Sequence, residues 1–414
     1  MKLNIDPAIA GRIKHAYAAL SPDQQKHIAP LLAEAHQHAL SFSQTGVAPP
    51  QDPAVKHDLL LAHSVLSDDQ DGVLETLGAG VEVDVNAQGE IWGTGKYEQL
   101  DPCWTEAVAY WMEHLVLGKH AFPATAPNVI SIPDSIQIGM AGDWGTGDWR
   151  TTANPAPSTR VRKAMANLEL DLTIHLGDVY YAGTNDQEQN FLLDLWPAGP
   201  LGALALNSNH EMYPGGDAYF QKALAGSRFA LQQQHSFFAL ENSNWVIVGL
   251  DSAYYSDEEK LYLDGALYSQ GGPQVQLRFL QAQVAKGKQV IVLTHHNGLT
   301  QDGSATTTVW SQVMSAFPTG TGPDYWYWGH VHAGAVYQTT ATTGNVRCRV
   351  NGHGGLPWAL ASDLANPNVA WYEKRLAHDP DVPERVLNGF AVLYLDGPNL
   401  TEVFYDENGG VGWP

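Results

Sequence analysis

Short apolar runs in this sequence are followed by aspartate, asparagine, histidine and tyrosine residues. The runs IQIGMA, LTIHL, ALALN and QVIVL lead into GDWG, GDVYY, SNHE and THHN, and the aromatic run YWYW leads into GHVH. The side chains in these motifs offer oxygen and imidazole ligands without thiolates, which suits moderately hard metals such as iron(III), manganese and zinc. The candidate residues are Asp143, Asp178, Tyr181, Asn209, His210, His295, His296, His330 and His332.

The apolar runs have the length and composition of buried strands in an α/β domain. Besides the five that precede motifs, WVIVGL at 245–250 reads as a strand. Because loops from several strands converge beyond their carboxyl ends, we expect the motif residues to meet in one region of the fold. Helical candidates lie between the strands, at 160–168, 186–196, 274–285 and 308–316.

The first 130 residues read as mainly helical. Ser21 and Gln24 form a capping-box pattern at the start of a helix, in which Pro30 is expected to cause a kink or a break. Residues 44–53 read as a loop, and the alternation on both sides of Asn86–Gly89 predicts a hairpin. The remaining helices of this part are predicted over 7–20, 53–66 and 106–117.

A stretch that contains several prolines, AFPATAPNVISIPD, separates this part from the alternating strands and helices. We place a domain boundary there, which gives an N-terminal domain at 1–130 and a catalytic domain at 131–414. For the N-terminal domain, the sequence does not distinguish a module for a protein partner or for oligomerisation from a cap over the site.

The composition excludes several classes of protein. The chain has 414 residues and a formal net charge of −22, so it lacks the clustered cations that nucleic-acid binding requires, and no nucleic-acid partner is expected. Apolar residues make up 44% and aromatic residues 10%, which indicates a packed core rather than disorder. No run approaches the roughly 20 apolar residues that span a membrane. The two cysteines are far apart and are expected to be reduced thiols.

Taken in order, GDWG, GDVYY, SNHE, VLTH and GHVH resemble the purple acid phosphatase branch of the calcineurin-like metallophosphoesterases. The pattern of that family is GDxG, GDxxY, GNH followed by an acid, VxxH and GHxH. Ser208 stands where the family has glycine. The resemblance covers about residues 136–340, and it implies a four-layer αββα sandwich of the α/β (α+β) class that carries a binuclear metal centre.

The resemblance also implies a role for each candidate residue. Tyr181 supplies a ligand in place of the histidine that most metallophosphoesterases have where this chain has Gly145, and Tyr180 is the competing phenol. A phenolate favours a trivalent ion, so Fe(III) is expected in the Tyr181 site and Fe(II), Zn or Mn in the second site. The implied ligands are Asp143, Tyr181 and His332 for the first ion and Asn209, His295 and His330 for the second, with Asp178 bridging both.

The spacing of the residues is consistent with these roles. His330 and His332 stand two residues apart, so on an extended backbone their imidazoles point the same way. A shared carboxylate can bridge ions about 3.5 to 4 Å apart, close enough to act on the attacking and leaving oxygens together. His210 and His296 are the expected catalytic donors to substrate, and Glu211 is expected to orient the ring of His210.

These features predict a binuclear metal-dependent phosphoesterase that hydrolyses small phosphate monoesters by attack of a metal-bound hydroxide. The motifs do not separate this activity from that of a phosphodiesterase acting on cyclic nucleotides or phospholipid headgroups. A non-catalytic scaffold with the same fold would be expected to have lost metal ligands, and all seven ligand positions are present.

The start of the chain, MKLNIDPAIAGRIKHAY, lacks the apolar core of a signal peptide. This predicts a cytoplasmic protein, or an exported one if the chain is a trimmed or recombinant form. The expected partner is a small phosphate ester, because an acidic surface repels polyanions.

Overall fold

A computed structural model describes residues 5–45, 57–67 and 84–414. In these ranges the chain alternates between helices and strands after an N-terminal part that is mainly helical. The helices are α1 (Pro7–Ala19), α2 (Pro22–Thr45), α3 (His57–Leu66), α4 (Trp104–Leu117), α5 (Pro157–Ala166), α6 (Asn185–Gln187), α7 (Asn209–Met212), α8 (Val275–Val284) and α9 (Thr308–Met314). Single-turn π-helices at Glu188–Leu193 and Tyr219–Ala223 and 3₁₀ turns at Ser227–Gln232, Glu258–Lys260 and Ser362–Leu364 complete the helical segments.

The strands form a hairpin and two larger sheets. They are β1 (Asp84–Val85), β2 (Ile91–Trp92), β3 (Ile130–Ser131), β4 (Ser135–Ala141), β5 (Leu172–His175), β6 (Gly202–Ala205), β7 (Phe238–Glu241), β8 (Trp245–Gly249), β9 (Gln289–Thr294), β10 (Tyr325–Trp328), β11 (Gly334–Tyr337), β12 (Arg347–Asn351), β13 (Val369–Tyr372), β14 (Gly389–Asp396), β15 (Asn399–Asp406) and β16 (Val411–Trp413). One sheet has the order β13-β11-β12-β10-β9-β8-β7-β3, and the other has the order β16-β15-β14-β4-β5-β6.

The two large sheets pack face to face with helices outside them. Along β8, Trp245 and Ile247 lie in an apolar cluster with side chains of the six-stranded sheet, whereas Val246 and Val248 pack on the other side with residues of α8 and α9. This alternation follows from the two-residue period of a strand, and burial on both faces explains why β8 is apolar throughout. The result is the mixed α/β sandwich of two sheets that the sequence predicted.

The predicted strands before the motifs are present, and their motifs follow them directly. Strands β4, β5 and β6 run parallel to one another in the six-stranded sheet, and β9 and β10 run parallel in the eight-stranded sheet. The motif residues therefore come from both sheets, and they meet where the carboxyl ends of these strands lie side by side. The run at 325–328 is a buried central strand, as expected.

The N-terminal part has most of the predicted elements. Ser21 and Gln24 make the two reciprocal hydrogen bonds of a capping box, at 3.3 Å and 3.0 Å, and β1 pairs with β2 in the predicted hairpin. Pro30 does not break the second helix, because α2 continues through it from Pro22 to Thr45. Of the predicted loop at 44–53, residues 46–53 lie outside the described residues.

Helices α1 to α4 do not form a core of their own. Ile13 of α1 and Trp111 of α4 belong to the same apolar cluster as Val161 of α5 and Phe390 of β14. The N-terminal helices therefore share one apolar cluster with residues of α5 and of the six-stranded sheet.

None of the helices in the described ranges combines the length and apolar character needed to cross a lipid bilayer. Cys103 and Cys348 are both free thiols, as predicted from their number and separation. The described fold therefore has no disulfide cross-link.

Candidate metal centre

The motif residues lie on tight turns at the ends of their strands. Asp143, Asp178, His330 and His332 have positive φ angles of 59°, 78°, 67° and 46°, a left-handed conformation that residues other than glycine rarely adopt. Such strained residues concentrate at functional sites because the surrounding fold has to hold them in place. The turns aim several side chains from different strands at a single region.

A first group of ligand atoms comes from Asp143, Asp178 and His332, and these atoms lie within 4.8 Å of one another. The Nε2 atom of His332 is 3.3 Å from Oδ1 of Asp143 and 3.7 Å from Oδ2 of Asp178. Both carboxylates are buried, while 12% of the His332 side chain is exposed. The first group is therefore a nearly enclosed pair of carboxylates with one imidazole near its opening.

A second group of ligand atoms comes from His295, His296 and His330, and these atoms also lie within 4.8 Å of one another. Asn209 belongs beside this group, because its Oδ1 atom is 3.0 Å from Nε2 of His295. The same Nε2 atom is 3.3 Å from Oδ1 of Asp178. Asp178 therefore contacts one group through Oδ1 and the other through Oδ2, which is the position predicted for a bridging carboxylate.

The two tyrosines of GDVYY occupy places opposite to the expected ones. The hydroxyl of Tyr180 lies 3.1 Å from Oδ2 of Asp178 and 2.8 Å from Nε2 of His332. Tyr181 instead donates its hydroxyl hydrogen to Oδ2 of Asp101, and that hydroxyl accepts from Nζ of Lys96 at 3.3 Å. In the structure the phenol of Tyr180, and not that of Tyr181, lies beside the first group.

His210 lies against the same tyrosines. Its ring stacks on that of Tyr180 with a centroid separation of 3.9 Å, and its Nδ1 atom donates to the backbone carbonyl of Tyr181 at 2.8 Å. Ser208 precedes α7 as its N-cap, and its hydroxyl accepts from the backbone N–H of His210 at 3.1 Å. The serine that replaces the family's glycine thus helps to fix the backbone on which His210 stands.

Glu211 and His296 have surroundings that differ from their predicted roles. Glu211 accepts hydrogen bonds from the hydroxyl of Ser208 and from the backbone N–H of Val179. The group that orients the His210 ring is the carbonyl of Tyr181, and not Glu211 as predicted. His296 is fully buried, with Nδ1 at 2.9 Å from the hydroxyl of Ser252 and Nε2 at 2.7 Å from the carbonyl of Tyr262. A donor role for His296 toward substrate would require one of these contacts to break.

Burial has opposite outcomes for the carboxyl groups near the centre. Burial raises the pKa of Glu211 to about 8, and the charge of Asp178 acts in the same direction. Burial and the proximity of Glu211 also raise the pKa of Glu188 well above its ordinary value. For Asp178 burial acts to raise the pKa, but the imidazoles of His295 and His210 outweigh it and hold the pKa well below its usual range. Of these three carboxyl groups, Asp178 is therefore the one that stays ionised.

The donor atoms fit a pair of hard or intermediate cations. They are carboxylate, amide and phenol oxygens and imidazole nitrogens, and no thiolate is among them. Oδ1 of Asp178 is buried and accepts no hydrogen bond among the described residues, which is costly for a carboxylate oxygen unless a cation compensates it. The arrangement can therefore hold positive charge on both sides of Asp178.

Three residues of the N-terminal part reach this centre and were not predicted to do so. Asp101 and Lys96 contact the hydroxyl of Tyr181, and the indole of Trp104 packs against the rings of Tyr180 and His210. The sequence gives no signal for these contacts, because they join positions about 80 to 110 residues apart outside any motif.

Comparison with known proteins finds a family similar to the central region. A family model described as calcineurin-like phosphoesterase matches residues 136–334. A search of curated proteins finds no match to the sequence.

Three solved structures that resemble this one come from different organisms. A purple acid phosphatase from yellow lupin (Lupinus luteus) seeds is 15% identical, with a TM-score of 0.46, over 70% of this chain and 54% of the lupin protein. GAP50, described as the anchor in the inner membrane complex of Plasmodium, is 12% identical over 68% of this chain and 87% of its own, with a TM-score of 0.46. A dimetal phosphatase from Danio rerio is 16% identical over 67% of this chain and 96% of its own, with a TM-score of 0.40.

The match to the family model contains the whole of the candidate centre. It begins within β4, before Asp143, and ends at the first residue of β11, after His332. The five motifs lie inside it in the predicted order, and their residues form the two ligand groups. Residues 136–334 of this chain are therefore similar in sequence to the calcineurin-like phosphoesterases, and this similar region holds the two ligand groups.

Proposed function

We propose that this protein is a binuclear metal-dependent phosphoesterase that hydrolyses small phosphate monoesters, with the chemistry of a purple acid phosphatase. The observation that carries the proposal is the position of Asp178, whose two oxygens contact the two ligand groups separately. A carboxylate shared in this way can hold two cations close enough to act on one phosphoryl group.

The residues that would hold the cations follow from the two groups. Asp143 and His332 would bind one cation, and Asn209, His295 and His330 would bind the second. Asp178 would contact both. When bound, two such cations lower the pKa of a water molecule and neutralise charge on a phosphoryl group.

For the metals, we propose Fe(III) in the first site and Fe(II), Zn or Mn in the second. The support is the phenol of Tyr180 beside the first group, because phenolate is a hard anionic donor that favours a trivalent ion. Under this proposal Tyr180 takes the role that the family pattern assigns to Tyr181. The phenolate would give the iron-loaded protein a visible absorption band.

His210 is the residue that we propose as proton donor to the leaving oxygen. Its Nδ1 hydrogen is committed to the carbonyl of Tyr181, so Nε2 is the nitrogen that would exchange a proton with substrate. The stack on Tyr180 fixes the plane of the ring. A neutral imidazole held in one tautomer can take up a proton and deliver it without a change of orientation.

The proposal is tested by measuring metal content and hydrolysis together. Purified protein would be assayed on p-nitrophenyl phosphate and bis(p-nitrophenyl) phosphate before chelation, after chelation, and after reloading with iron, zinc or manganese. Asp178→Asn should lose both metal and activity, because the neutral amide can no longer hold two cations. Asp257→Asn, at an exposed turn, is the matched control and should retain both.

The two substrates separate the two kinds of phosphoesterase. Faster metal-dependent hydrolysis of the monoester supports the proposal, whereas a preference for the diester would replace it with a phosphodiesterase. Full turnover in protein that elemental analysis shows to be metal-free would contradict both the monoesterase and the diesterase proposal.

A further inference from the structure

Trp104 connects the N-terminal part of the chain to the proposed proton donor. It is the first residue of α4, lies outside the region that matches the family model, and is 3% exposed. Its ring centroid lies 5.2 Å from that of Tyr180 and 5.8 Å from that of His210. Its Nε1 atom donates to the carbonyl of Glu98 at 2.8 Å, which fixes the orientation of the indole.

Asp101 reaches the same histidine through Tyr181. Its Oδ2 atom accepts from the hydroxyl of Tyr181 at 2.5 Å and from the backbone N–H of Tyr97 at 2.9 Å, and its Oδ1 atom accepts from the backbone N–H of Cys103 at 2.9 Å. The carboxylate is therefore held by its own turn. Because the carbonyl of Tyr181 accepts the Nδ1 hydrogen of His210, fixing Tyr181 also holds the ring with its other nitrogen, Nε2, available to exchange a proton with substrate.

The two contacts act on different degrees of freedom of the imidazole. The hydrogen bonds from Asp101 through Tyr181 restrain rotation of the ring about its Cβ–Cγ bond, since Nδ1 must remain at the carbonyl. Trp104 closes the side of the Tyr180–His210 stack and limits its displacement. General acid catalysis depends on both, because proton transfer needs the donor within hydrogen-bond reach and in the right orientation.

From these contacts we infer that Trp104 and Asp101 are positioning residues for His210, so that residues 96–104 form a part of the active site that the family domain does not itself contain. The inference rests on the proposed function of His210. It assigns these residues of the N-terminal part a role in the chemistry.

The leaving group provides a readout that a purely structural role would not change. p-Nitrophenolate departs with little help from an acid, whereas a simple alkoxide needs a proton in the transition state. Loss of His210 positioning should therefore lower kcat for an alkyl ester such as glycerol 2-phosphate much more than kcat for p-nitrophenyl phosphate. KM should change little, since neither residue is placed to touch the phosphoryl group.

The experiment compares Trp104→Leu, Trp104→Phe and Asp101→Asn with wild-type protein at equal metal content. Trp104→Leu and Asp101→Asn should lower kcat for glycerol 2-phosphate by about 10-fold or more, with the p-nitrophenyl phosphate rate within about 2-fold, and Trp104→Phe should restore most of the loss. Combined with His210→Ala, Trp104→Leu should cause no further loss, because both changes remove the same step.

Trp111→Leu is the matched control. Trp111 is a fully buried residue of the same helix, but its Nε1 atom donates to the carbonyl of Glu258. Its replacement should lower the free energy of unfolding without changing the ratio of kcat for glycerol 2-phosphate to kcat for p-nitrophenyl phosphate. Equal losses on both substrates in Trp104→Leu and Trp111→Leu would overturn the inference.

A measurement without turnover keeps this test separate from the proposed function. In NMR spectra of protein labelled with ¹⁵N at histidine, the hydrogen-bonded Nδ1–H of His210 gives a low-field proton signal. It is assigned as the signal that is lost in His210→Ala. Trp104→Leu and Asp101→Asn should shift or broaden it, and an unchanged signal would refute the positioning role. Failure of wild-type protein to hydrolyse either monoester with metal would instead remove the proposed function, and with it this inference.

Discussion

Tyr180 and Tyr181 are adjacent residues with different environments. This difference decides which phenol we propose as a ligand of the first metal. Tyr180 contacts Asp178 and His332, whereas Tyr181 contacts Asp101 and Lys96. The family spacing favours Tyr181, but spacing alone does not specify which of two neighbouring tyrosines turns toward the carboxylates. That choice depends on Asp101, whose proximity arises only in the folded chain.

Replacing each tyrosine by phenylalanine separates the two possibilities. Tyr180→Phe should abolish the visible band of the iron-loaded protein, because it removes the phenol beside the first group. Tyr181→Phe keeps that phenol and should retain the band. Absorption spectra with metal analysis check this, and loss of colour in Tyr181→Phe alone would return the ligand role to Tyr181.

His210→Ala should retain its metal and lose turnover. The imidazole contacts Tyr180 and the Tyr181 carbonyl and is not needed to complete either ligand group. We expect kcat on an alkyl phosphate to fall by roughly 10² to 10⁴, the usual contribution of a general acid. His235→Ala, outside the centre, is the control, and loss of metal from His210→Ala would contradict the assignment.

At the scale of elements, a buried ionic network joins the loops beside the centre. Arg385 donates from Nε to Asp379 at 2.9 Å and from Nη1 to Glu407 at 2.6 Å, and Arg150 donates to Asp379 at 2.5 Å. Arg385 is 1% exposed. Arg150 follows the GDWG motif and Glu407 follows β15, so the network ties the turn after the first ligand to the C-terminal strands.

Arg385→Ala should therefore be strongly destabilising. Removing one partner leaves buried carboxylates without their counter-charge, which costs about 3 to 5 kcal/mol. Guanidinium unfolding measures the loss. Lys286→Ala, which breaks a partly exposed pair with Glu241, should cost about 1 kcal/mol or less, and equal effects of the two changes would contradict the argument.

The same network gives stability a dependence on acid pH. Burial acts to raise the pKa of Asp379, but Arg150 and Arg385 outweigh it and lower the pKa from 3.8 to about 2. A lowered pKa stabilises the folded state above the unfolded value, and this contribution disappears as pH falls from about 4 to about 2. The difference in unfolding free energy between wild type and Asp379→Asn should be constant above pH 5 and shrink below pH 4. A difference that does not change across this range would rule the mechanism out.

The elements that carry the motifs could be predicted because each is a short, mostly apolar and largely buried run. Strands β4, β5, β6, β9 and β10 are of this kind. Strands β11 to β16 were not predicted individually. In β15, for example, polar and exposed residues interrupt the apolar pattern, and pairing with β14 and β16 decides its structure.

At the scale of the whole molecule, the N-terminal part and the two-sheet part of the chain share one apolar cluster. Trp111 and Ile13 are fully buried within the cluster that also contains Val161 and Phe390. The predicted boundary near residue 130 separates two patterns of sequence, and the packing across it predicts a common stability.

A chain that starts at residue 131 should be poorly soluble and slow. It would lose Trp104 from beside His210 and Asp101 from beside Tyr181, and it would expose residues of the apolar cluster that α1 and α4 share with the rest of the chain. Full-length protein should unfold in one transition by calorimetry and by near-ultraviolet circular dichroism. Two separate transitions, or a truncated protein with normal solubility and rate, would show that the parts are independent.

The left-handed backbone of four motif residues has a consequence for engineering the protein. Each such residue costs on the order of 1 kcal/mol relative to glycine, which adopts the conformation without strain. On this backbone contribution alone, glycine would stabilise positions 143, 178, 330 and 332 while removing their ligand side chains. Screens that score thermal stability without activity should therefore enrich variants whose centre no longer binds metal.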